Sequence, residues 1–191
     1  MTAPAGLARR ELILGGQRSG KSRRAELLAA HWLAAAPGRR ALLLATATPH
    51  DAEMRARIER HRADRALRLP GMTTLEVPLA LGAALDAAST PDSLVVIDCL
   101  TLWLTNLLMP ASGESHAPEP EQAALLAALD RARGPVVLVG NEIGLGVIPL
   151  GREVRAFVDA LGQINQRVAA VCERVTLMAA GLPLTLKEDS A

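Results

Sequence analysis

Aromatic residues are scarce in this 191-residue chain, which has two tryptophans, one phenylalanine and no tyrosine. A chain of this length can bury a sizeable core, and here that core must be built from Leu, Val, Ile and Ala. The scarcity leaves no set of aromatic platforms on which nucleic-acid bases stack. The net charge of +1 adds no general attraction to nucleic acid or to anionic membranes. We therefore expect no nucleic-acid partner.

Cysteines and long apolar stretches are also scarce. Cys99 and Cys172 are far apart in the sequence, so we expect two buried free thiols rather than a disulfide framework or a zinc site. No apolar run reaches the roughly 20 residues that a membrane-spanning helix needs. The first residues do not resemble a signal peptide. These absences predict a cytoplasmic protein without a transmembrane segment.

Lysine is the scarcest charged residue, because Lys21 and Lys187 are the only lysines among 21 basic residues. Lys21 belongs to a complete G-x-x-x-x-G-K-S motif, with an apolar run before it and a helix-like pattern after it. Its glycines let backbone N–H groups surround phosphate oxygens, and the following helix N-terminus favours anions. The motif predicts a nucleoside triphosphate site made by Gly15, Gly16, Gln17, Arg18, Ser19, Gly20, Lys21 and Ser22. In that site Lys21 is the catalytic cation at the β- and γ-phosphates, and Ser22 is a ligand of Mg²⁺.

Apolar runs alternate with helical patterns along the rest of the chain. This alternation predicts an α/β fold of the P-loop (RecA-like) type, with a mostly parallel sheet and helices on both faces. We expect a loose tail over residues 1–10, a single nucleotide-binding domain over residues 11–191 and an exposed loop over residues 110–120. The predicted strands are 12–14, 41–45, 73–77, 94–98, 136–140 and 175–179, and the predicted helices are 21–36, 51–67, 79–88, 100–109, 119–133 and 152–173.

Polar residues follow several predicted strands, and ligands bind at the carboxyl ends of strands in open sheets of this kind. Asp98 ends the run LVVID, where it either joins Ser22 in holding Mg²⁺ or caps the next helix, as Thr101 also can. Asn141 and Glu142 end the run VVLVGNE. Glu142 either positions a hydroxyl or water, or accepts a hydrogen bond from the glycine-rich turn after it. Thr46, Ala47 and Thr48 follow the predicted strand 41–45. This segment either faces the nucleotide or only caps a turn.

Residues 51–68 form a predicted helix with six arginines and one histidine, His61. At helical spacing Arg57, His61 and Arg65 lie on one stripe. One interpretation is a solvated helix in which acidic residues offset the arginines. The other is a histidine held among phosphate-binding cations. A neutral imidazole can attack phosphorus once guanidinium groups screen the oxyanions.

Several segments together resemble one enzyme family, the bifunctional adenosylcobinamide kinase / adenosylcobinamide-phosphate guanylyltransferase of cobalamin biosynthesis. They are GGQRSGKS, ATATPHDAEMRARIERHR, DCLTLWLTNLL, VVLVGNEIGLGVIP and GQINQRVA, and the similarity covers residues 12–187. The elements N-E-x-G-x-G-x-x-P at 141–149 and D-x-E-M-x-x-R-I-x-x-H at 51–61 are more specific than the phosphate loop.

The resemblance implies two reactions and a set of site residues. ATP or GTP phosphorylates adenosylcobinamide, and GTP then gives GMP to that phosphate through a histidine intermediate, which leaves adenosylcobinamide-GDP and pyrophosphate. The matching histidine is His61, and Mg²⁺ is the expected cofactor, with Ser22 and Asp98 as its ligands. Homo-oligomers are also implied. The implied nucleotide contacts are the phosphate loop, Thr46, Ala47, Thr48, Arg62, Ala63, Asp64, Arg65, Glu76 and Asp98.

Two other classes of function compete with this one. A monofunctional small-molecule kinase would use the phosphate loop, Lys21 and Asp98 and leave His61 idle. A GTP-dependent regulatory module would need N-K-x-D to recognise guanine. Residues 141–144 read N-E-I-G, which lacks both the lysine and the aspartate. A DNA-dependent ATPase is disfavoured by the near-neutral charge.

Overall fold

A computed structural model describes residues 6–49, 51–110 and 117–189. Its seven strands form one sheet in the order β3-β2-β4-β5-β1-β6-β7, in which only β7 is antiparallel to its neighbour. The mostly parallel sheet confirms the predicted fold class. The elements are β1 Arg10–Gly15, α1 Lys21–Ala35, β2 Arg40–Ala45, α2 Ala52–Arg68, β3 Met72–Glu76, α3 Leu81–Ala88, β4 Ser93–Asp98, α4 Leu100–Leu108, α5 Pro118–Arg131, β5 Val136–Val139, α6 Arg152–Val171, β6 Arg174–Ala179 and β7 Leu182–Glu188.

The core lies on both faces of the sheet, because successive residues of a strand point to opposite sides. In β1, Leu12 and Leu14 pack into a cluster with residues of α3 to α6. Ile13 packs on the other face, against Ala25 and Leu28 of α1. Helix α2 has no buried residue. It therefore lies outside both halves of the core and is held mainly by its polar side chains.

The parallel register aligns the strand ends that the sequence singled out. Ala45 of β2 is opposite Glu76 of β3 on one side and Asp98 of β4 on the other. Asp98 is in turn opposite Val139 of β5. The residues that follow these strands therefore emerge at one edge of the sheet, beside the loop that follows β1.

The chain termini and one predicted loop differ from the sequence-based expectation. Of the predicted loose tail, residues 1–5 lie outside the described part of the chain, but residues 6–10 are held. Arg9 donates to Ala132 O at 2.8 Å, and Arg10 belongs to β1 and pairs with Glu173. Hydrogen bonds to backbone and side chains thus extend the ordered body further towards the N-terminus than the sequence predicted.

The predicted exposed loop over residues 110–120 is shorter than expected at its C-terminal end. Helix α5 begins at Pro118, which occupies the first turn, where a missing N–H costs nothing. Glu119 and Glu121 add favourable negative charge at that helix N-terminus. Residues 111–116 of the predicted loop lie outside the described part of the chain.

Strand β7 was not predicted. The strand has the sequence LPLTLKE and lies at the edge of the sheet. Proline is tolerated there because an edge strand has backbone positions that need not donate a hydrogen bond to a neighbouring strand. Its side chains are mostly exposed, so the burial pattern that marks the other strands is absent here. Among the described residues, no helix is both long and apolar enough to span a membrane.

Candidate active site

The loop after β1 adopts a conformation that two glycines make possible. Gly15 has φ 148° and Gly20 has φ 104°, both in the range that side-chain-bearing residues rarely adopt. A Cβ on Gly15 would lie 2.4 Å from Met178 O and 2.6 Å from Ser19 Oγ. The Ser19 hydroxyl oxygen is buried and has no hydrogen-bond partner among the described residues. The loop is thus closely packed against β6 and keeps a buried polar atom for a ligand.

Replacement of Gly15 by alanine is expected to displace this loop. The added methyl would overlap backbone and side-chain atoms, so we expect a loss of about 1–3 kcal/mol in the free energy of unfolding. The nucleotide-induced rise in melting temperature should disappear as well. Gly16→Ala is the matched control, because nothing lies within 4 Å of a Cβ there. Without nucleotide, Gly16→Ala should melt close to the wild type, and equal melting temperatures for the two variants would contradict the packing argument.

Lys21 is the buried cation of this loop. Its ammonium donates to Gly15 O at 2.9 Å and to Gly16 O at 2.6 Å. Burial lowers the pKa of Lys21, while Cys99 and Asp98 act in the opposite direction and Arg57 lowers the pKa further. The loop therefore holds a positive charge that is hydrogen-bonded to backbone carbonyls. An anionic phosphate oxygen would bind this ammonium more strongly than a neutral carbonyl does.

Asp98 lies at the end of β4, beside the phosphate loop. The structure does not use it as the cap of α4, since Cys99 holds that position and its Sγ accepts from Leu102 N at 3.5 Å. Burial is the main cause that raises the pKa of Cys99 to about 12, so its thiol stays protonated at neutral pH. Within the described residues, neither the Asp98 carboxylate nor the Ser22 hydroxyl takes part in a side-chain hydrogen bond.

The segment of residues 46–48 is engaged mostly in structural contacts. Thr46 is fully buried, and its Oγ1 both donates to Cys99 O and accepts from Cys99 N, each at 2.8 Å. Thr48 Oγ1 donates to Asn106 Oδ1 at 3.0 Å. Ala47 is half-buried between them. The Thr46 side chain thus joins two strand ends instead of capping its own turn, and a nucleotide contact from this segment remains a prediction.

Helix α2 is tied to the site by its arginines. Arg62 forms an ion pair with Glu76 at the end of β3. Arg68 makes two hydrogen bonds to Glu26 of α1, at 2.8 and 3.1 Å. These contacts hold the helix across the edge of the sheet at which the strands end.

Two further arginines of α2 are coupled electrostatically to Lys21 and to Asp98. Arg57 is close enough to Lys21 to lower its pKa. Burial is the main cause that lowers the pKa of Arg65, while the negative charges of Glu26 and Asp98 partly offset that effect. The Arg65 Nη1 is buried and has no hydrogen-bond partner among the described residues. Such a donor is a ready partner for an anionic ligand.

His61 lies on the same stripe of α2, one turn from Arg57 and one turn from Arg65. Its side chain is exposed. Ala63 and Asp64 are exposed too, and Asp64 lies 3.9 Å from Arg68, an ion pair within the helix. The predicted nucleophile thus lies on the helix that contacts Glu76 at the end of β3, one turn from each of two arginines of the same stripe.

The polar residues after β5 connect the phosphate loop to the next segment. Glu142 N donates to Gly15 O at 3.1 Å. Its carboxylate accepts from Gly144 N at 2.8 Å, which is the structural alternative that the sequence left open. Asn141 N donates to Thr101 Oγ1 at 2.9 Å.

Asn106 is a site-supporting residue that the sequence analysis missed. Its amide donates to Thr46 O at 2.8 Å and to Pro78 O at 3.0 Å, so it ties the segments after β2 and β3 to helix α4. The available signal was an asparagine within the largely apolar helix LTLWLTNLL, where Thr101 and Asn106 are the buried polar residues. Arg57 was noted only as part of a stripe, because spacing does not reveal which arginine approaches Lys21.

The fold and this loop define a P-loop nucleotide-binding protein. The flagellar accessory protein FlaH from Methanocaldococcus jannaschii has a similar fold, with a TM-score of 0.55 over 96% of this chain and 81% of that one. Its sequence is only 11% identical, so this similarity concerns the fold alone.

The sequence comparisons are more specific. The family described as cobinamide kinase / cobinamide phosphate guanyltransferase matches residues 11–186. The bifunctional adenosylcobalamin biosynthesis protein CobP of Pseudomonas aeruginosa is 47% identical, over 94% of this chain and 98% of its own length. The bifunctional adenosylcobalamin biosynthesis protein CobU of Salmonella typhimurium is 36% identical, over 92% of this chain and 98% of its own length. The chain therefore belongs to the cobinamide kinase / cobinamide phosphate guanyltransferase family, whose members are kinases and guanylyltransferases of cobalamin biosynthesis. The resemblance stated from the sequence is confirmed.

Proposed function

We propose that this protein carries out both reactions at one nucleotide site, with His61 as the residue that carries GMP. The observation that supports this most is the position of α2. The charge of Arg57 lowers the pKa of Lys21, the charge of Asp98 acts on the pKa of Arg65, and His61 lies one turn from each arginine. The buried Nη1 of Arg65 has no hydrogen-bond partner among the described residues, and a monofunctional kinase would have no use for a histidine between these two arginines.

In the kinase reaction, the cobinamide hydroxyl attacks the γ-phosphorus of ATP or GTP and releases its proton to water. The bond from that phosphorus to the bridging oxygen breaks, and the nucleoside diphosphate leaves. Lys21 and the loop N–H groups of residues 15–22 stabilise the charge on the phosphate oxygens as this happens. The products are cobinamide phosphate and the diphosphate.

In the guanylyltransferase reaction, a ring nitrogen of His61 attacks the α-phosphorus of GTP. The bond to the β-phosphate oxygen breaks, pyrophosphate leaves and GMP is attached to the imidazole. An oxygen of cobinamide phosphate then attacks the same phosphorus, the N–P bond breaks and the free imidazole is regenerated. Arg65, whose Nη1 has no partner among the described residues, is placed to bind a phosphate oxygen in the first of these steps. We assign Arg62, Ala63, Asp64, Glu76 and the segment 46–48 to the surroundings of the nucleotide.

Mg²⁺ fits this site through hard oxygen donors. The Ser22 hydroxyl and the Asp98 carboxylate are both oxygen ligands, and Mg²⁺ in nucleotide sites is held by one or two protein ligands together with waters and phosphates. Such a site needs no cage of side chains, and none with three or more His, Cys, Asp or Glu occurs among the described residues. When bound, the ion supplies charge neutralisation on the phosphates.

The test of the histidine route is a labelling experiment. GTP labelled at the α-phosphate is expected to leave label on the protein, whereas GTP labelled at the γ-phosphate is not. The adduct should be labile in acid and stable in base, as a phosphoramidate is. Label that enters from the γ-position, or none from the α-position while cobinamide phosphate is still converted, would contradict the proposed intermediate.

The remaining assignments concern the surroundings of the enzyme. We propose that adenosylcobinamide and its phosphate are the acceptors, that the protein works in the cytoplasm as a homo-oligomer, and that it binds no nucleic acid. We retain the single nucleotide-binding domain but place its start before residue 11, because Arg10 belongs to β1 and Arg9 is hydrogen-bonded to Ala132. Sedimentation at micromolar protein concentration tests the oligomer, and a monomeric, fully active enzyme would contradict it.

A further inference from the structure

Residues 143–151 form a surface that neither proposed reaction uses. This loop, IGLGVIPLG, contains no charged side chain and no side chain that forms hydrogen bonds. Four of its aliphatic side chains are almost fully exposed: Leu145 at 81%, Val147 at 96%, Ile148 at 77% and Leu150 at 97%. Exposed apolar surface this concentrated is typical of a ligand or protein contact site.

The loop is restrained at both ends. At its start, Glu142 N donates to Gly15 O and the Glu142 carboxylate accepts from Gly144 N. At its end, Arg155 Nη1 donates to Pro149 O at 3.0 Å and to Leu150 O at 2.5 Å. The aliphatic side chains are therefore displayed by an anchored segment, and their exposure is a property of the fold at this point.

The position of the loop connects it to the acceptor. It lies between the end of β5 and the start of α6, so it is at the edge where the strands end, and Glu142 directly before it is hydrogen-bonded to Gly15 of the phosphate loop. When the hydroxyl of a large acceptor is in line with the γ-phosphorus, the rest of that acceptor must lie over the segments next to the phosphate loop. The side chains of this surface offer no cation and no hydrogen-bonding group to a phosphate, so an apolar part of the acceptor matches them better.

We propose that residues 143–151 bind the corrin macrocycle of the acceptor. The periphery of that ring carries methyl groups between its amide side chains, so an aliphatic surface can pack against the methyl groups while the amides stay in contact with water. Burial of Val147 and Leu150 against the ring provides affinity, and the link from Glu142 to Gly15 fixes the distance between the ring and the phosphates. This inference rests on the proposed function, since it takes cobinamide as the acceptor.

The experiment measures cobinamide binding by equilibrium dialysis, without nucleotide, and GTP binding separately. The variant is Val147→Ser/Leu150→Ser, whose replaced side chains are too exposed to contribute packing to the fold. We expect cobinamide to bind roughly tenfold or more weakly, the effect of losing the burial of one or two aliphatic side chains, while GTP affinity stays unchanged. Leu150→Ser alone should show a smaller loss in the same direction.

Leu186→Ser is the matched control. Leu186 is an exposed aliphatic residue of β7, near the end of that strand that lies away from the phosphate loop. This variant should bind cobinamide as the wild type does.

Unchanged cobinamide affinity in the double variant would overturn the inference. A change in sedimentation without a loss of cobinamide binding would overturn it as well, because the loop would then be a contact between copies of the protein. An equal loss of GTP affinity would overturn it too. A wild-type protein that binds no cobinamide would instead overturn the proposed function.

Discussion

His61→Ala is expected to abolish guanylyl transfer and leave cobinamide phosphorylation in place. The imidazole forms the bond that carries GMP, and no neighbouring side chain on its stripe can replace it, because the guanidinium groups of Arg57 and Arg65 donate hydrogen bonds but offer no nucleophilic nitrogen. We expect the guanylyltransferase kcat to fall by roughly 10³-fold or more. The kinase reaction involves attack by the acceptor hydroxyl, so its kcat should stay near the wild-type value. Separate assays with cobinamide and with cobinamide phosphate give the two rates.

The matched control for this variant is His31→Ala. His31 is also exposed, but it belongs to α1 and not to the helix that carries Arg57 and Arg65. This variant should retain both activities and the α-phosphate label. If His61→Ala still took up the α-label, or if His31→Ala lost it, the assignment of His61 as the nucleophile would be wrong.

Lys21→Ala is expected to impair both reactions, which distinguishes it from the His61 variant. Lys21 is the buried cation of the phosphate loop, and the same loop holds the triphosphate whether the γ- or the α-phosphorus is attacked. Loss of one preorganised charge at the phosphates typically reduces kcat by roughly 10²–10³-fold. The dissociation constant of GTP, measured by calorimetry, should rise as well.

Lys187→Ala controls for the loss of a lysine. The Lys187 ammonium donates to Cys172 O at 2.7 Å and thus interacts with the C-terminal end of α6, away from the phosphate loop. A cation there stabilises the helix, so this variant should lose a little stability and keep both activities. Full kinase activity in Lys21→Ala would show that the loop does not bind the transferred phosphate.

Much of this site could be predicted because its determinants are local. The conformation of residues 15–22 depends on glycines and a lysine within eight positions, and the strand before it and the helix after it are evident from the hydrophobic pattern. Asp98 could be placed beside that loop because parallel strands bring their carboxyl ends to one edge. The histidine role came from a family resemblance and not from the spacing alone.

Other features could not be predicted because they depend on contacts between distant segments. The sequence could not show that Thr46 is enclosed by Cys99 rather than facing a ligand, since that contact joins residues 53 positions apart. It did not reveal β7, whose exposed side chains lack a burial pattern. Nor could the sequence decide whether Asp98 caps α4. The structure shows that Cys99 is the cap of this helix.

The sequence by itself determined the fold class, the phosphate loop and the family, because each follows from residues close together in the chain or from motifs that it carries intact. Only the tertiary structure decided which arginines of α2 approach the phosphate loop. That helix has no buried residue and is positioned by ion pairs such as the one from Arg68 to Glu26, 42 residues away. Ion pairs of this kind have no periodic pattern in the sequence, because they depend on where two separately formed elements come together.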